Sequence, residues 1–499
     1  MLRCDVFDHQ ERPPNLALPP LIRPRKLARS HGELQPIIIG MGPAGLFAAL
    51  AFADCGVACT IIERGAAVER RNLHVRDLRT KGQLEPESNL CFGEGGAGTY
   101  SDGKLYTRSR SRRVREVYER LVALGISDTI LVDAHPHVGT NRLIPMMSVL
   151  REALREAGHE LLFDARVTDL VLQEAATRSQ VTGVRLADGR EIMGGPVILS
   201  AGHSARDTYL MLARHGVAME AKPLAIGARI EHPQSLIDQV QLGRLAGHPA
   251  IGAAEYFVSQ KVATERGPRG VYSFCMCPGG FILPTPTMPG HLNVNGMSNA
   301  GRGGRFANAA LVVQVGVDDL HLETPGDLDD HPLYGRHVAG GALIGLALQS
   351  ALERRAFEAG GGGYVAPAQL LTAFVSGSGE SELPARTSYR PGLKAAELRD
   401  VLPRALVGAL ARGAQQIERR QLRGYLSAEA VIMGVETTTS SPVRVLRGDD
   451  RCSISHEGLW PCAEGAGYAG GIVSSAIDGL ETADAILRQR GLDLDEARL

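Results

Sequence analysis

The first hundred residues show a succession of apolar runs and glycine turns. The apolar run Ile37–Ile39 leads into a glycine-rich turn, and that turn leads into an apolar helical segment, Leu46–Cys55. A second apolar run, Ala58–Ile62, follows and ends at Glu63. A strand, a tight glycine turn, a helix and a second strand form the βαβ unit of a parallel sheet. We therefore predict that residues 36–107 begin a Rossmann-like domain.

Further along, the spacing of apolar residues predicts two helices and a small β-meander. Apolar residues first recur at helical spacing, and the later runs favour strands joined by a tight turn at Asp188-Gly189. The predicted elements are helices over Arg112–Leu124 and Leu143–Ala157, meander strands within Glu160–Leu172, Gln180–Leu186 and Arg190–Met193, and a buried strand, Val197–Leu199.

The pattern changes near residue 216 and changes back near residue 440. Between these points prolines are frequent, and we predict irregular strands and helices near 340–358 and 394–419. The predicted fold class is α/β, with a Rossmann-like domain (a parallel sheet with a β-meander) and an inserted second domain of mixed α+β structure. The predicted segments are an N-terminal arm at 1–35, a nucleotide-binding domain at 36–215 and 441–499, and a substrate or cap domain at 216–440.

Length, charge and cysteine usage exclude several classes of protein. The chain has 499 residues and a formal charge of −1, so no global field attracts nucleic acid or an anionic membrane. Its eight cysteines lack the spacing of a zinc site or a disulfide scaffold, so we expect reduced thiols and no metal. The N-terminal residues lack the apolar stretch of a signal peptide, and we expect a cytoplasmic location.

The motif G-x-G-x-x-G occurs three times, and its first occurrence lies in a complete βαβ context. Gly40–Gly45 separates the first predicted strand from the first predicted helix. Glycines at these positions permit a tight turn and bring backbone close to a pyrophosphate, whose charge the helix N-terminus stabilises. Glu63 ends the second strand, where a carboxylate binds a ribose 2′-hydroxyl and repels the 2′-phosphate of NADP.

The other two occurrences predict different contacts with a cofactor. Gly93–Gly98 precedes no amphipathic helix and predicts a loop that lies against a bound cofactor. Gly465–Gly470 follows the predicted strand Gly458–Cys462 and precedes a predicted helix, Ile472–Leu487. The N-terminus of that helix suits the electron-rich edge of a flavin ring. An extended FAD needs contacts for its adenosine, pyrophosphate, ribitol and ring. Because these stretches together can provide them, we predict FAD as the cofactor.

Seven longer strings along the chain are distinctive. They are IIIGMGPAGLFAAL, ESNLCFGEGGAGTYSDGKL, LSAGHSARDTYLML, ARIEHPQ, YSFCMCPGG, GVETTTSSPVRVLR and EGAGYAGGIVSSAIDGLETA. With them the chain resembles, from about Pro36 to Leu487, a widespread family of FAD-dependent dehydrogenases found in bacteria and plant plastids. More distantly it is similar to the broad FAD-binding class of aromatic hydroxylases, amine oxidases and the succinate dehydrogenase flavoprotein.

The resemblance to the broad class implies which residues contact FAD. The first glycine motif would face the pyrophosphate, Glu63 and Arg64 the adenosine ribose, and Glu464 the ribitol. Lys104, after the second glycine loop, could contact a phosphate or steady a reduced flavin, or it could be solvated. The complete candidate set is Gly40, Gly42, Pro43, Ala44, Gly45, Glu63, Arg64, Gly95, Gly96, Lys104, Val167, Ala201, Gly202, Glu464, Gly470, Gly471 and Ile472.

Two further groups are candidates for chemistry. Cys275 and Cys277 share one face of a predicted strand, where they could relay electrons to a flavin or simply be buried. Arg229, Glu231 and His232 end another predicted strand, where a substrate could lie, although charge at the protein surface is the interpretation that we favour.

The sequence predicts an FAD-dependent oxidoreductase, a dehydrogenase or reductase that passes hydride between a small organic substrate and flavin N5. Two alternatives stay open. One is a flavin monooxygenase that uses NAD(P)H and O2, and the other is a flavoprotein whose redox state controls binding to a protein partner. The motifs do not separate these functions, because the same FAD scaffold serves each of them.

Overall fold

The computed structural model describes residues 19–25, 34–174, 178–248, 251–323, 341–379 and 382–491. Up to the end of the meander its elements are β1 (Ile37–Ile39), α1 (Pro43–Asp54), β2 (Thr60–Ile62), α2 (Val68–Lys81), a 3₁₀ helix (Ala97–Tyr100), α3 (Arg113–Ala123), a 3₁₀ helix (Asp128–Leu131), α4 (Thr140–Glu156), β3 (Glu160–Leu162), β4 (Val167–Gln173), β5 (Ser179–Leu186), β6 (Glu191–Met193) and β7 (Val197–Leu199).

The remaining elements include the longest strands of the described chain. They are α5 (Arg206–Arg214), β8 (Met219–Ala221), β9 (Leu224–Pro233), α6 (Gln234–Leu242), a 3₁₀ helix (Gly243–Leu245), β10 (Ser259–Thr264), β11 (Gly267–Pro284), β12 (Val294–Met297), β13 (Phe306–Val315), α7 (Val317–Glu323), α8 (Ile344–Gly360), β14 (Ala366–Leu370), α9 (Leu371–Ser376), β15 (Leu393–Ala395), α10 (Arg404–Arg420), β16 (Val431–Glu436), β17 (Val443–Val445), β18 (His456–Glu457), β19 (Leu459–Pro461) and α11 (Ile472–Gln489).

The first glycine motif opens a parallel sheet, as predicted. Its strand order is β19-β7-β1-β2-β3, so a strand from near the end of the chain lies beside strands from its beginning. The central strand β1 is wholly apolar and buried, because it pairs with a parallel strand on each side and is covered by helices. Helices α1 and α11 pack against each other on this sheet and share one apolar core.

Two smaller sheets join this sheet to the rest of the molecule. Strands β4, β5 and β6 form the predicted antiparallel meander, and β18 pairs with β5. Strands β8 and β17 pair at the two points where the chain leaves and re-enters the parallel-sheet region. The fold is therefore α/β, with a Rossmann-type sheet and a meander. The domain boundaries at 216 and 440 stay a prediction.

A second large sheet is built from the residues between β8 and β17. Its strand order is β10-β11-β13-β9-β16-β14-β15, and β12 pairs with the far end of β11. Strand β9 is buried along nearly its whole length, since it pairs with β13 on one side and β16 on the other. Three of the strands, β9, β11 and β13, are long, and the irregularity that we predicted appears as register shifts in the pairing of β11 with β13 and of β16 with β9.

One predicted helix starts later than expected. The pattern predicted a helix over 394–419, whereas α10 begins at Arg404 and Leu393–Ala395 is a strand paired with β14. Pro403 accounts for the difference, because proline fits a helix start but breaks a helix interior. Helix α8 ends where the glycine run predicted, with Gly361 in the left-handed conformation (φ 86°).

The described part of the predicted arm packs against the parallel-sheet region. The backbone N–H of Arg23 donates to Asp54 at 2.7 Å, and Arg25 forms an ion pair with Asp484 of α11 at 2.8 Å. Among the described residues, the helices fall short of the length and apolarity that a membrane crossing needs.

Candidate cofactor site

A cavity of about 320 Å³ lies at the carboxyl ends of the parallel strands, where open α/β sheets bind their ligands. It is lined both by the parallel-sheet region and by strands β11 and β12 of the second sheet. Most of the residues selected from the sequence line it, namely Gly40, Gly42, Pro43, Ala44, Glu63, Arg64, Gly96, Lys104, Val167, Ala201, Gly202, Glu464, Gly471 and Ile472.

Backbone packs against backbone at the first glycine motif. Gly40 has φ 100°, and a Cβ there would lie 2.5 Å from the carbonyl oxygen of Ser200, the residue that follows the neighbouring strand β7. A Cβ on Gly96 would lie 2.9 Å from the Cα of Gly42. The second glycine loop therefore lies directly on the first motif, and the two form a cradle that side chains would fill.

Three glycines of the candidate set lie outside the cavity lining. Gly45 lies behind the turn, where a Cβ would come within 2.1 Å of the Gly40 carbonyl oxygen. Gly95 donates its N–H to the Met41 carbonyl at 2.9 Å and so ties the two glycine loops together. Gly470 lies beside the start of α11 and donates to Ser474. Cofactor contact by these three glycines stays a prediction.

The Glu63 carboxylate is buried and organises the nucleotide end of the cavity. It accepts backbone N–H bonds from Met41 at 2.9 Å, Gly65 at 2.9 Å and Gly93 at 2.8 Å. An ionised carboxylate offers about four lone-pair sites, so these three bonds leave about one for a ribose hydroxyl. Glu63 thus fixes the loops of the cradle as well as lining it, a role that the sequence did not show.

Arg64 also lines the cavity, but other side chains hold its guanidinium. It pairs with Glu87 at 2.8 Å and with Asp207 at 2.8 Å, and it lies over the Phe92 ring at 4.1 Å. Ribose contact by Arg64 stays a prediction. In this structure the residue joins α5 and the second glycine loop to the end of β2.

Arg71 anchors the second glycine loop, and the sequence analysis missed it. Its guanidinium is fully buried and donates to the carbonyls of Asn89, Leu90, Gly93 and Glu94. A signal was present, because the residue falls on the apolar stripe of α2. That stripe is otherwise formed by Val68, Val75 and Leu78. A charged residue on such a stripe indicates a buried, bonded cation.

The N-terminus of α11 and Glu464 face the cavity from the opposite wall. Gly471 precedes the helix with φ 100°, and its N–H points to Glu464 Oε2 at 3.5 Å. His203 lines the same wall, with Nε2 3.6 Å from Glu464 Oε1. Its Nδ1 is buried and has no hydrogen-bond partner among the described residues. This end of the cavity therefore offers an unsatisfied polar atom to a ligand.

Lys104 closes the far end of the cavity, and its side chain keeps an exposed fraction of 35%. Contact of Lys104 with a phosphate or a reduced flavin stays a prediction. Its ammonium donates to the Met276 carbonyl and pairs with Asp102 at 3.1 Å. Burial lowers the pKa of Lys104, but the neighbouring Cys277, Cys275 and Asp102 outweigh this effect and raise the pKa to about 12. The residue is therefore a fixed cation at the cavity wall.

Cys275 lines the cavity beside Lys104, whereas Cys277 is fully buried behind it. The Cys277 sulfur lies 3.4 Å from the Cys275 carbonyl oxygen. Asn295 of β12 and the pair Thr438 and Thr439 complete this part of the wall. The sequence analysis did not select these three, because the folding of the second sheet is what brings β12 and the segment after β16 to the cavity.

The expectation of surface charge at the end of β9 is wrong. Arg229, Glu231 and His232 are all buried, with exposed fractions of 0%, 2% and 0%. Burial arises because β9 is an inner strand of the second sheet. Arg229 donates to the Cys275 carbonyl at 3.0 Å, and its Nε lies 3.2 Å from the Glu436 carboxylate. This residue therefore supports the wall around Cys275.

Glu436 is a buried carboxyl group beneath this wall. Neither of its oxygens has a hydrogen-bond partner among the described residues, although Arg229 lies within ion-pair distance. Burial raises the pKa of Glu436 to about 8, and Arg229 acts in the opposite direction. A proton can therefore reside on this group near neutral pH.

The cavity fits an extended FAD. The glycine cradle and the start of α1 suit a pyrophosphate, Glu63 keeps a free lone pair for a ribose, and the start of α11 suits a ring that gains negative charge. The unpartnered His203 Nδ1 offers a further polar contact. These features define a flavoprotein of the Rossmann type.

Comparisons with known proteins identify the family. The model of the family described as FAD-dependent protein, C-terminal domain-like, matches residues 223–439. A protein of uncharacterised function from Clostridium beijerinckii is 39% identical over 458 residues, which are 92% of this chain and 81% of that protein. The chain belongs to this family of FAD-dependent proteins, and its cofactor is FAD. Its general class is that of the flavin oxidoreductases.

More distant similarities extend to other proteins. Protein FixC of Escherichia coli strain K12 is 30% identical over 334 residues, which are 63% of this chain and 64% of FixC. A mutant of the halogenase PltM in complex with FAD aligns over 92% of this chain and 71% of the halogenase, with 9% identity and a TM-score of 0.39. CtdE in complex with FAD aligns over 91% of this chain and 84% of CtdE, with 10% identity and a TM-score of 0.32.

Proposed function

We propose that this chain is a dehydrogenase or reductase that passes a hydride between a small organic substrate and flavin N5. One observation carries the proposal. A single cavity runs from the nucleotide-binding glycines to a wall of polar side chains contributed by the second sheet. An FAD enzyme would hold its substrate between the flavin ring and such a wall. The parallel-sheet side of the cavity would be filled by the cofactor itself, which leaves the second-sheet side for the substrate.

Each part of the wall would have its own task. FAD, when bound, supplies the hydride chemistry. The start of α11 and Lys104 would stabilise negative charge at the ring, since one is the positive end of a helix and the other a fixed cation. Asn295 and Thr438 would orient a polar substrate from the second sheet. The packed glycine loops would exclude water from the nucleotide end.

The test is anaerobic mixing of the FAD-loaded protein with NADH, then with NADPH, while the flavin absorbance is followed. A reductase would be bleached by one of the two, and readmitted O2 would show whether a monooxygenase-type reaction follows. A dehydrogenase would resist both nucleotides and be bleached by a compound from a panel of small alcohols, amines and hydroxy acids. Protein that no member of either set bleaches would contradict the proposal.

We propose that the partner is a small molecule, with NAD(P)H as a candidate donor, and that neither nucleic acid nor a membrane is bound. A cytoplasmic location stays a prediction from the sequence.

A further inference from the structure

The wall of the flavin cavity contains two cysteines separated by one residue. Cys275 lines the cavity, and Cys277 lies behind it with an exposed fraction of 0%. Both are free thiols in the structure. A thiol pair with one member open to the site of a redox cofactor differs from ordinary core cysteines, which have no redox partner within reach.

The backbone is bent at this pair. Phe274 pairs with Ala310 and Cys277 with Asn308, so β11 holds one more residue than β13 between these points and forms a β-bulge. Cys275 lies in the bulge with φ 46°, a strained conformation for a non-glycine residue and one that clusters at functional sites.

The bulge also makes a disulfide between the two cysteines geometrically reasonable. Residues i and i+2 of a regular strand have Cα atoms about 6.6 Å apart, close to the upper limit of about 6.8 Å for a disulfide. A bulge bends the strand and shortens this separation. The Cys277 sulfur already lies 3.4 Å from the Cys275 carbonyl oxygen, so the side chain of Cys277 turns toward Cys275.

Two cations lie beside the pair, Arg229 fully buried and Lys104 partly exposed in the cavity wall. Lys104 bonds to the carbonyl of Met276, which lies between the cysteines, and Arg229 donates to the Cys275 carbonyl at 3.0 Å. Positive charge of this kind favours a thiolate, which is the reactive form of cysteine. A hydrogen bond from the Cys277 thiol lowers the pKa of Cys275 well below its ordinary value, and both cations act in the same direction against burial.

We propose that Cys275 and Cys277 are a redox-active dithiol that exchanges two electrons with the FAD bound in the cavity. The inference rests on the proposed flavin function and adds a second two-electron centre to it. In the oxidising direction an S–S bond forms between the two sulfurs, and the Cys277 thiol gives up its proton. FAD takes up that proton and the two electrons and becomes FADH⁻, so atoms and charge balance. The reverse step reduces the disulfide.

The experiment counts electrons in the FAD-loaded protein. The protein is treated with diamide, a thiol oxidant, freed of reagent and titrated anaerobically with dithionite. The wild type is expected to take up about two two-electron equivalents per FAD, and Cys277→Ser about one. Cys91→Ser is the matched control, since Cys91 lines the same cavity and has no neighbouring cysteine among the described residues, and it should still take up about two.

A second readout on the wild type does not depend on the variants folding. After diamide treatment, alkylation and mass spectrometry should find the peptide that holds both cysteines without alkyl groups and two hydrogens lighter than its dithiol form. After the dithionite titration, the same peptide should carry two alkyl groups. The inference would be overturned if diamide-treated wild type took up only one two-electron equivalent per FAD and both of its thiols could still be alkylated. The proposed function would remain intact in that case. A chain that takes up no FAD would overturn both.

Discussion

The two ends of the cavity are built in different ways. At the nucleotide end, the wall consists of backbone from two glycine loops, held together by the buried side chains of Glu63 and Arg71. At the thiol end, the wall consists of side chains such as Lys104, Cys275 and Asn295 from strands and loops far apart in the sequence. The comparison teaches that one cavity is built by two means, close-packed backbone at the nucleotide end and side chains from both sheet regions at the thiol end.

The largest effect is expected from a substitution in the cradle. Gly40→Ala would place a Cβ 2.5 Å from the Ser200 carbonyl oxygen in a left-handed conformation. We expect FAD affinity to fall more than about 100-fold, because strain of about 3 kcal/mol is added where backbone must approach the pyrophosphate. Fluorescence titration of the FAD-free protein with FAD measures this loss.

Gly56→Ala is the matched control for Gly40→Ala. Gly56 has φ 67°, yet a Cβ there would meet nothing within 4 Å. It should cost about 1 kcal/mol of stability through its backbone conformation alone and leave FAD affinity unchanged. Equal affinities in the two variants would show that close backbone packing at Gly40 does not govern cofactor binding.

The next largest effect is expected at the loop anchor. Arg71→Met keeps most of the side-chain volume but leaves four carbonyl groups without their buried donor. We expect the free energy of unfolding to fall by about 3 kcal/mol and FAD affinity to fall by about 10-fold or more. Arg76→Met, on the exposed side of the same helix, should change neither property appreciably. Urea unfolding measures the free energy of unfolding of both variants, and FAD titration measures their FAD affinity. Similar results for Arg71→Met and Arg76→Met would argue against an anchoring role for Arg71.

A smaller effect is expected at Glu63. In the wild type both carboxylate oxygens of Glu63 accept backbone N–H bonds. In Glu63→Gln the amide oxygen can still accept, but the amide NH2 is a donor and leaves at least one backbone N–H without an acceptor. One unsatisfied bond costs about 1–3 kcal/mol, so we expect FAD affinity to fall by about 10-fold. Glu87→Gln, which alters a partly exposed partner of Arg64, serves as the control. A Glu63→Gln variant that binds FAD as tightly as the wild type would refute this role.

The smallest effect concerns pH, and it tests the thiol end alone. Since the pKa of Cys275 is lowered, its thiolate should persist below the ordinary cysteine value of about 8.5. Alkylation of Cys275 by iodoacetamide in FAD-free protein should therefore stay fast near neutral pH and slow only on acidification. Cys91 in the same cavity gives an internal contrast, because burial raises its pKa and its reaction should need alkaline pH.

Replacing the nearby cation should move that pH profile. Lys104→Gln removes positive charge beside both sulfurs, so the pH at which Cys275 alkylation is half-maximal should rise by about one unit. Peptide mass spectrometry at each pH measures the rate at each cysteine separately. Identical profiles for the variant and the wild type would mean that Lys104 does not tune the thiol.

The sequence predicted the nucleotide end well because its geometry is local. The turn at Gly40, the start of α1 and the end of β2 at Glu63 lie within one βαβ unit, and each requires a particular residue type. The strand predicted over Gly458–Cys462 is also present, as β19, and the structure pairs it with β7.

The thiol end could not be predicted in the same way. The bulge at Cys275 arises from the register between β11 and β13, which no local pattern encodes. Arg229 was expected at the surface because a strand end is usually exposed, but β16 covers β9 on the side away from β13. Lys394 and Ala395 were assigned to a helix because the parallel partner of their strand, β14, is not apparent from composition.

A crystal structure of the FAD-loaded protein tests the central claim most directly. The account requires one FAD, with its adenosine against Glu63 and Val167 and its isoalloxazine ring between the start of α11 and Cys275. A ring that lies away from Cys275 and Lys104, or an FAD held outside this cavity, would contradict it.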